Sequence, residues 1–314
     1  MMSDMVPLVV TLGSINLDIT AFSEHLPRPS QTVKGSRYSM ELGGKGANQA
    51  AAIARLGGRS TFIGRVGRDK FGATARDQLS EIGVDTSYLA SEPNASTGVA
   101  VIMVDEQGEN SIVVVGGANS LLDHTDVERA ETILRAAQVL QLQLETPLSA
   151  SMTAAAIVRA IGGIVILDPA PVPDEGLPRE ALRSVDFVTP NETEAEALVG
   201  IRPTNAAEAA EAAARLLSAG APAAIIKMGW RGAYYRDEQS DGLVPASRVD
   251  SINSVGAGDS FNGGLAMALA RGNALADAVR FAAACGALAT VGPGAATSAP
   301  TIAAVRELMD SGGR

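Results

Sequence analysis

Short runs of valine, isoleucine and leucine alternate along this chain with longer alanine-rich runs of helical periodicity. Several short runs are apolar on both faces, as expected for strands buried in a parallel sheet. The predicted strands are PLVVTLGSI, STFIGRV, VLQLQL, GIVILDPA, VDFVTPN and AAIIKMG. The predicted helices between them are GANQAAAIARLG, FGATARDQLSEIG, TDVERAETILRAAQ, SASMTAAAIVRAIGG and NAAEAAEAAARLLSAG, with more from Ser260 onward. This alternation predicts a three-layer α/β/α fold with a mainly parallel central sheet.

Two segments break the alternation. TGVAVIMVDEQGENSIVVVGGAN predicts an antiparallel hairpin around DEQGEN, and residues 17–42 form a second, irregular β-like stretch. Because neither has a helix to cover it, we expect a small β-sheet lid, for which an oligomer interface is the competing interpretation. The expected lid comprises residues 16–42 and 98–118, and the expected large α/β domain comprises residues 1–15, 43–97 and 119–314.

Composition and charge narrow the classes of function. The net charge of −10 and the pI near 4.8 argue against a nucleic-acid-binding protein, which usually has a basic surface. One cysteine and two histidines leave no disulfide framework and almost no basis for a His/Cys metal site. The N-terminal residues do not form a signal peptide, and no apolar run is long enough to span a membrane, so we expect a cytoplasmic protein.

Polar residues follow the predicted strands at the point where each strand ends. In an open parallel sheet, ligands bind beyond the carboxyl ends of the strands. Any one of these residues alone is explained by helix capping or by a loop, but several together at one edge indicate a ligand site. They are Asn16, Asp18, Glu145, Asp168, Asn191, Glu192, Glu194, Lys227 and Gly229.

Two glycine-rich stretches stand before helices. In GGKGANQA, residues 43–50, the glycines allow a ligand close to the backbone, and Lys45 and Asn48 can donate hydrogen bonds. The stretch is neither a Walker A loop nor a GxGxxG fingerprint, and a simple tight turn is the alternative.

The second stretch is VGAGD, residues 255–259. At a helix N-terminus the amides of Gly256, Ala257 and Gly258 would form an anion site. Asp259 beside them is placed to accept a proton from a hydroxyl while the amides hold a transferring phosphoryl group. The alternative is that Asp259 or Ser260 only caps the helix.

The order of these motifs resembles that of the ribokinase-like (PfkB) carbohydrate kinases. The resemblance extends from about Val9 to Pro300, and GGKGANQA together with a C-terminal GAGD is highly specific for the family. It implies ATP-dependent phosphorylation of a sugar hydroxyl. The ribose-phosphorylating members are the most similar, which implies the 5-hydroxyl of D-ribose. The matching segments are GSINLD, GGKGANQA, STGVAVI, GENSIVVVGGAN, QLETP, TPNETEAE, GWRGAYY and VGAGDSFNGG.

The resemblance also implies a role for individual residues. Asp259 would be the base and contact the sugar, and the amides of residues 256–258 would be the anion hole. Asn191 and Glu194 would reach Mg²⁺ through water, and the hairpin would be a lid that also forms a homodimer. The implied sugar-binding residues are Asn16, Asp18, Gly44, Lys45, Asn48 and Glu145. The implied ATP-binding residues are Asn191, Glu194, Lys227, Gly229, Arg231, Gly232 and Gly258.

Three positions depart from the family pattern. Asn253 stands where these kinases usually have an acid that helps to bind an activating K⁺, so we expect weaker or absent K⁺ activation. Lys227 replaces a frequent threonine and is expected to reach the ATP phosphates, and Ala283 replaces a histidine that some members place near adenine. The rest of the implied K⁺ shell is Val255, Ala289, Gly292, Gly294 and Ser298.

Alternatives to ribose remain open at this point. The acceptor of another such kinase would be a ketose, a sugar acid, a sugar phosphate or a nucleoside. A sugar phosphate would need more cations near Lys45, and a nucleoside would need an aromatic slot, whereas only 4% of the residues are aromatic. A sugar-binding sensor without catalysis is the third interpretation, and the intact Asp259 argues against it.

Overall fold

The computed structural model describes residues 6–311, and it confirms the predicted fold class. Its strands in chain order are Leu8–Leu12 (β1), Asn16–Ser23 (β2), Gly35–Gly43 (β3), Arg59–Gly67 (β4), Asp85–Glu92 (β5), Gly98–Val104 (β6), Asn110–Val115 (β7), Val139–Leu142 (β8), Ile164–Leu167 (β9), Phe187–Val188 (β10), Ala223–Lys227 (β11), Ala233–Arg236 (β12) and Asp241–Val244 (β13). Its helices are Lys45–Arg55 (α1), Lys70–Glu81 (α2), His124–Arg129 (α3), Glu131–Leu134 (α4), Leu148–Ala160 (α5), Arg179–Arg183 (α6), Glu192–Val199 (α7), Ala206–Ala219 (α8), Ala257–Ala270 (α9), Leu275–Ala289 (α10) and Ile302–Asp310 (α11).

Nine strands form the central sheet in the order β13-β12-β11-β10-β9-β8-β1-β4-β5. The pairs from β11 to β5 are parallel, and β12 and β13 are added antiparallel at one edge. Successive side chains of β1 face opposite layers: Val9 packs in the cluster of α1, α9 and α10, and Val10 packs in the cluster of α5 and α8. Both faces of the sheet are therefore buried, which explains the continuous apolar runs of its strands.

A second, four-stranded sheet has the order β3-β2-β6-β7. The predicted hairpin is confirmed, since β6 and β7 pair antiparallel, and the irregular stretch forms β2 and β3. These strands lie in the segments expected for the lid except at Gly43, the last residue of β3. That this sheet moves as a lid stays a prediction.

The chain passes from the first sheet to the second between Leu12 and Asn16, and the buried side-chain amide of Asn119 is one of the groups that hold this crossing. The side chain of Asn119 accepts a hydrogen bond from the Ile15 amide at 3.0 Å and donates to Asn16 Oδ1 at 2.8 Å. Asn16 therefore enters the second sheet in a fixed orientation.

The predicted helix TDVERAETILRAAQ is wrong in one respect, because the segment forms the two helices α3 and α4. Ala130 between them has φ −94° and ψ 4°, which ends α3. Asp126 of α3 is fully buried and ion-paired with Arg65 at 2.6 Å, and Leu134 of α4 is buried in the core. The first helix is thus positioned by an ion pair and the second by apolar packing. Within residues 6–311, no helix has the length and apolar character needed to cross a membrane.

Candidate active site

The base predicted from GAGD lies at the start of α9. Gly256 caps this helix in the left-handed conformation, with φ 76°, and its backbone passes so near Ala295 that a Cβ would lie 2.9 Å from Cα of that residue. The Ala257 amide donates to the Ser254 carbonyl at 3.2 Å, so it already has an acceptor within the turn. The amides of Gly258 and Asp259 belong to the first helical turn, where N–H groups have no intrahelical acceptor. The expected anion hole therefore depends more on Gly258 than on Ala257.

The carboxylate of Asp259 is buried and held by two neighbouring side chains of α1. Asn48 Nδ2 donates to Asp259 Oδ2 at 2.9 Å, and Gln49 Nε2 donates to Oδ1 at 3.3 Å. Burial raises the pKa of Asp259 to about 6, and the charge of Asp168 adds to this, whereas Lys45 and the two amide bonds oppose it. Asp259 is therefore ionised at neutral pH, and its pKa is near enough to neutrality for a general base.

The glycine turn before α1 is closed too tightly for side chains. Gly44 has φ 87°, and a Cβ there would lie 2.9 Å from the Asn16 nitrogen. A Cβ at Gly46 would lie 2.7 Å from the Ser14 nitrogen. Glu145 fastens the turn, since one of its oxygens accepts hydrogen bonds from the Ser14 hydroxyl and from the Lys45 amide.

Asp18 and Asn48 contribute buried polar atoms with no partner within the chain. Asp18 Oδ1 and Asn48 Oδ1 are both buried without a hydrogen bond in the described part of the protein. Burial raises the pKa of Asp18 to about 7, with further contributions from the charges of Glu145, Glu41 and Asp259. Buried oxygens of this kind need donors, and the hydroxyl groups of a ligand are suitable donors.

Lys227 reaches the start of α9 from the end of β11. Its Nζ lies 2.8 Å from Asp168 Oδ1, and a Cβ on Gly258 would lie 3.6 Å from the same nitrogen. The ammonium group thus stands against the turn where the free amides are. Asp168 is buried with 3% exposure, and Gln49 Nε2 donates to its other oxygen at 2.9 Å.

The residues expected to handle ATP and Mg²⁺ begin α7 and follow β11. Asn191 and Glu194 form a reciprocal capping box, in which the Asn191 amide donates to Glu194 Oε2 at 2.8 Å. Burial raises the pKa of Glu194, the charge of Lys227 lowers it, and the charge of Asp168 raises it again. Arg231 stacks on Trp230 at 4.7 Å from its ring centre and lies 3.6 Å from Glu192.

Gly229 and Gly232 both have positive φ, of 54° and 99°. They shape the turn between β11 and β12, which carries Trp230 and Arg231, and Arg231 contacts Glu192 at the start of α7. Within residues 6–311, no group of three or more His, Cys, Asp or Glu side chains forms a metal centre. A metal ion here would have to complete its shell with water and phosphate oxygens.

The segment implied to bind K⁺ is closed by its own hydrogen bonds. Asn253 Nδ2 donates to the Pro293 carbonyl at 2.7 Å, and Asn253 Oδ1 accepts from the Val255 amide at 3.1 Å. The Ser298 hydroxyl accepts from the Gly294 amide at 2.9 Å. The side-chain oxygens of Asn253 and Ser298 thus each already accept a hydrogen bond from a backbone N–H, and Asn253 brings no negative charge to this segment. Ala289 and Gly292 lie in the same segment, at the end of α10 and just beyond it.

Sequence reasoning missed two residues that join these parts. Gln49 follows Asn48 in GGKGANQA, but only the phase of α1 shows that both amides face Asp259. Gln143 precedes Glu145 by two residues and donates to Gln49 Oε1 at 2.7 Å. The signal that could have revealed Gln143 is a polar residue inside the apolar strand run VLQLQL, because such a residue needs a buried hydrogen-bond partner.

The fold is that of a carbohydrate kinase. The structure of Arabidopsis thaliana ribokinase complexed with ribose and ATP superposes with a TM-score of 0.89, at 33% identity, over 97% of this chain and 99% of that one. The model of the pfkB family of carbohydrate kinases matches residues 6–302, and the chain belongs to that family. The membership predicted from the motifs is thus confirmed.

Among curated relatives, the chain is similar to both ribokinases and deoxyribokinases. It is 36% identical to a ribokinase of Haemophilus influenzae, over 96% of this chain and 98% of the relative. It is 33% identical to a deoxyribokinase of Salmonella typhi, over 96% of this chain and 98% of the relative. The identities are too close to separate the two acceptors.

Proposed function

We propose that this protein transfers the γ-phosphoryl group of ATP to a primary hydroxyl of a small neutral sugar, with the 5-hydroxyl of D-ribose as the acceptor. The observation that carries the proposal is the position of Asp259. Its carboxylate is held by Asn48 and Gln49 at the N-terminus of α9, beside first-turn amides and the Lys227 ammonium. A base and an anion-binding helix end are thereby brought together, as phosphoryl transfer to an alcohol requires.

Each side chain and amide of the site has a separate role in the proposed reaction. Asp18, Asn16 and Asn48 bind hydroxyls of the sugar, which satisfies the unpartnered oxygens of Asp18 and Asn48. Asp259 takes the proton of the attacking hydroxyl as its oxygen bonds to the γ-phosphorus. The bond from that phosphorus to the bridging oxygen breaks, and ADP leaves with the electron pair. The Gly258 amide and Lys227 stabilise the negative charge of the transferring group.

Asn191 and Glu194 would hold hydrated Mg²⁺ in this proposal. Their fit rests on the donor set, since a half-buried carboxylate and an amide oxygen suit a hard cation that keeps several waters. When bound, Mg²⁺ would neutralise charge on the ATP phosphates. We expect weaker or absent activation by K⁺, because Asn253 is neutral and its amide oxygen already accepts a hydrogen bond from Val255.

The charges around the glycine turn favour a neutral sugar over a sugar phosphate. Burial lowers the pKa of Lys45, but the charges of Asp259, Asp168 and Glu145 outweigh this and raise it. Lys45 is therefore a permanent cation whose charge is already balanced by carboxylates. The phosphate group of a sugar phosphate would lie near the carboxylates of Asp18 and Glu145 with no further cation to balance its charge. The repulsion between these negative charges disfavours a sugar phosphate as the acceptor.

We also propose a homodimer formed through the second sheet. By register, Ile19, Met40, Val101 and Val113 share the face of that sheet opposite to Asp18. Val113 is 59% exposed and Tyr38, on the same face, is 72% exposed. An apolar sheet face of this kind is usually covered, and a second copy of the chain would cover it symmetrically.

A coupled ADP-release assay over a panel of acceptors tests the function. The panel contains D-ribose, 2-deoxy-D-ribose, a ketohexose, a deoxy sugar acid, a sugar phosphate and a nucleoside, with an acceptor-free control for ATP hydrolysis. We expect the highest kcat/KM with D-ribose. Deoxyribose is the second candidate because deoxyribokinases are similar at nearly the same identity. Ribose binding without ADP release would support a sensor instead.

A further inference from the structure

Asp168 is a buried carboxylate that the proposed reaction does not use. It follows β9, near the middle of the central sheet, and its side chain is 4% exposed. A charged group in such a place is rarely retained without partners, because its desolvation is costly. Its partners therefore indicate what it does.

The two oxygens of Asp168 bind two different parts of the site. Oδ1 accepts from Lys227 Nζ at 2.8 Å, and Oδ2 accepts from Gln49 Nε2 at 2.9 Å. The same Gln49 nitrogen contacts Asp259 Oδ1 at 3.3 Å. Gln143 donates to Gln49 Oε1, which fixes the amide so that its N–H₂ faces both carboxylates. One carboxylate thus joins β11, α1 and α9.

The geometry also determines what remains free on Lys227. An ammonium group has three N–H donors, and Asp168 takes one of them. The nitrogen lies against Gly258, so its other donors are available to an anion at the start of α9. An unrestrained lysine at this position would instead lose side-chain entropy on each encounter with a nucleotide.

We propose that Asp168 is a positioning residue for phosphoryl transfer, which directs Lys227 at the transferring group and, through Gln49, holds the carboxylate of the base Asp259. This inference rests on the proposed function. In this role Asp168 contacts neither the sugar nor ATP. The charged groups that face Asp259 are Lys45 from α1, Asp168 from β9 and Asp18 from β2.

Asp168→Asn is the primary test, because it keeps the shape and removes the charge. We expect kcat to fall roughly 10²-fold, as for a displaced catalytic group. Burial is the largest cause of the raised pKa of Asp259, and the charge of Asp168 adds to it. Removal of the Asp168 charge should therefore shift the acid limb of the kcat/KM profile to lower pH. Loss of stability alone would leave this limb in place.

The matched control is Asp126→Asn. Asp126 is also buried and paired with a cation, Arg65, but it lies in α3 away from this network. We expect it to lower the melting temperature without moving the pH profile. A double-mutant cycle with Lys227→Met adds a second measurement: loss of Asp168 should raise the KM for ATP much less when Lys227 is already absent.

Should Asp168→Asn fail to fold, Gln49→Leu tests the bridge alone, because it leaves the ion pair with Lys227 intact. We expect a lower kcat with little change in the KM for ATP. Unchanged kcat in this variant, an unmoved acid limb in Asp168→Asn, or additive effects in the cycle would each overturn the inference. A wild-type protein that releases no ADP with any acceptor would contradict the proposed function itself, and this inference with it.

Discussion

Asn48 donates a hydrogen bond of 2.9 Å to Asp259, and the oxygen of the same amide is buried without a partner. One side chain of α1 therefore contacts the base and also offers an acceptor to a ligand hydroxyl. The hydroxyl that binds there is brought next to the group that would deprotonate it.

Asp259→Asn should abolish most turnover while the protein folds normally. A positioned general base contributes about 10²- to 10⁴-fold to a rate, and we expect kcat to fall within that range. Single-turnover and steady-state ADP release measure it, with nucleotide binding by calorimetry as a control for the fold. Near-normal turnover would remove Asp259 from the mechanism.

Activity should depend on pH through a pair of carboxyl groups. The pKa values of Asp259 and Asp18 are raised to about 6 and about 7, mainly by burial, and the charge of Asp259 is one of those that raise the pKa of Asp18. Because the base must be ionised, kcat/KM should fall as pH is lowered through this interval. The limb belongs to the coupled pair rather than to one residue. A profile flat from pH 5 to 8 would contradict the expectation.

The raised pKa of Asp259 also makes the free energy of unfolding depend on pH. The folded protein binds the Asp259 proton more tightly than the unfolded chain, whose pKa is near 3.8. The stabilisation is fully present below 3.8 and is lost as pH rises through about 6. Asp259→Asn should therefore increase the free energy of unfolding at pH 8, on the order of 2 kcal/mol, and much less at pH 4. Urea unfolding at the two pH values measures this, and an equal change at both would contradict it.

Asn253→Asp should strengthen the response to K⁺, which we expect to be weak or absent in the wild-type protein. The substitution places a carboxylate oxygen where an N–H donor now lies 2.7 Å from the Pro293 carbonyl. Without a cation this contact should destabilise the variant by on the order of 1 kcal/mol. Melting temperatures in potassium and tetramethylammonium chloride at equal ionic strength should differ for the variant only. Many-fold activation of the wild-type protein by K⁺ over Na⁺ would contradict this account.

Gly44→Ala and Gly57→Ala form a matched pair at the two ends of α1. Both glycines have positive φ, of 87° and 80°, but a Cβ at Gly44 meets backbone at 2.9 Å whereas one at Gly57 meets nothing within 4 Å. Both substitutions should cost about 1–2 kcal/mol from backbone strain, and Gly44→Ala should cost more because its Cβ also meets backbone atoms. Only Gly44→Ala should also raise the KM for the sugar, because it displaces Asn16. Equal KM values in the two variants would show that the turn does not shape the sugar site.

Val113→Asp and Val114→Asp test the proposed dimer. The two valines are adjacent and almost equally exposed, at 59% and 58%, but they lie on opposite faces of the second sheet. A buried charge is costly in an apolar interface, so Val113→Asp should give a monomer. Val114→Asp should leave the oligomeric state unchanged. Sedimentation velocity measures both, and a monomeric wild-type protein would refute the interface.

Local patterns were sufficient for the fold, whereas contacts between distant residues were not visible in them. The buried parallel strands, the hairpin and the glycine turns all have short-range signals, and the structure contains them. The edge strands β5 and β13, and β12 beside β13, were missed because partly exposed strands lack a continuous apolar run. Ala130 divides one predicted helix because a buried ion pair of Asp126 and a core leucine place its two halves differently.

Prediction of the candidate site from the sequence has the same limit. The position of Asp168 after its strand was evident, but its partner Lys227 is 59 residues away in the chain. Asn253 was recognised as a departure, although the direction of its amide toward Pro293 depends on a loop 40 residues further on. Side-chain pairing across a sheet edge is decided by tertiary structure, and a pattern of residue types cannot specify it.

The glycine turn limits how this protein's acceptor preference can change. A side chain at Gly43 would meet the Asp18 carboxylate, and side chains at Gly44 and Gly46 would meet backbone. Substitutions in the glycine turn, whether natural or selected in the laboratory, therefore cannot reshape the sugar pocket without displacing the Asp18 carboxylate or the neighbouring backbone. New specificity would have to arise on the face of β2 and its neighbouring strands that carries Asp18. Libraries aimed at other sugars should accordingly randomise the second sheet and leave the turn intact.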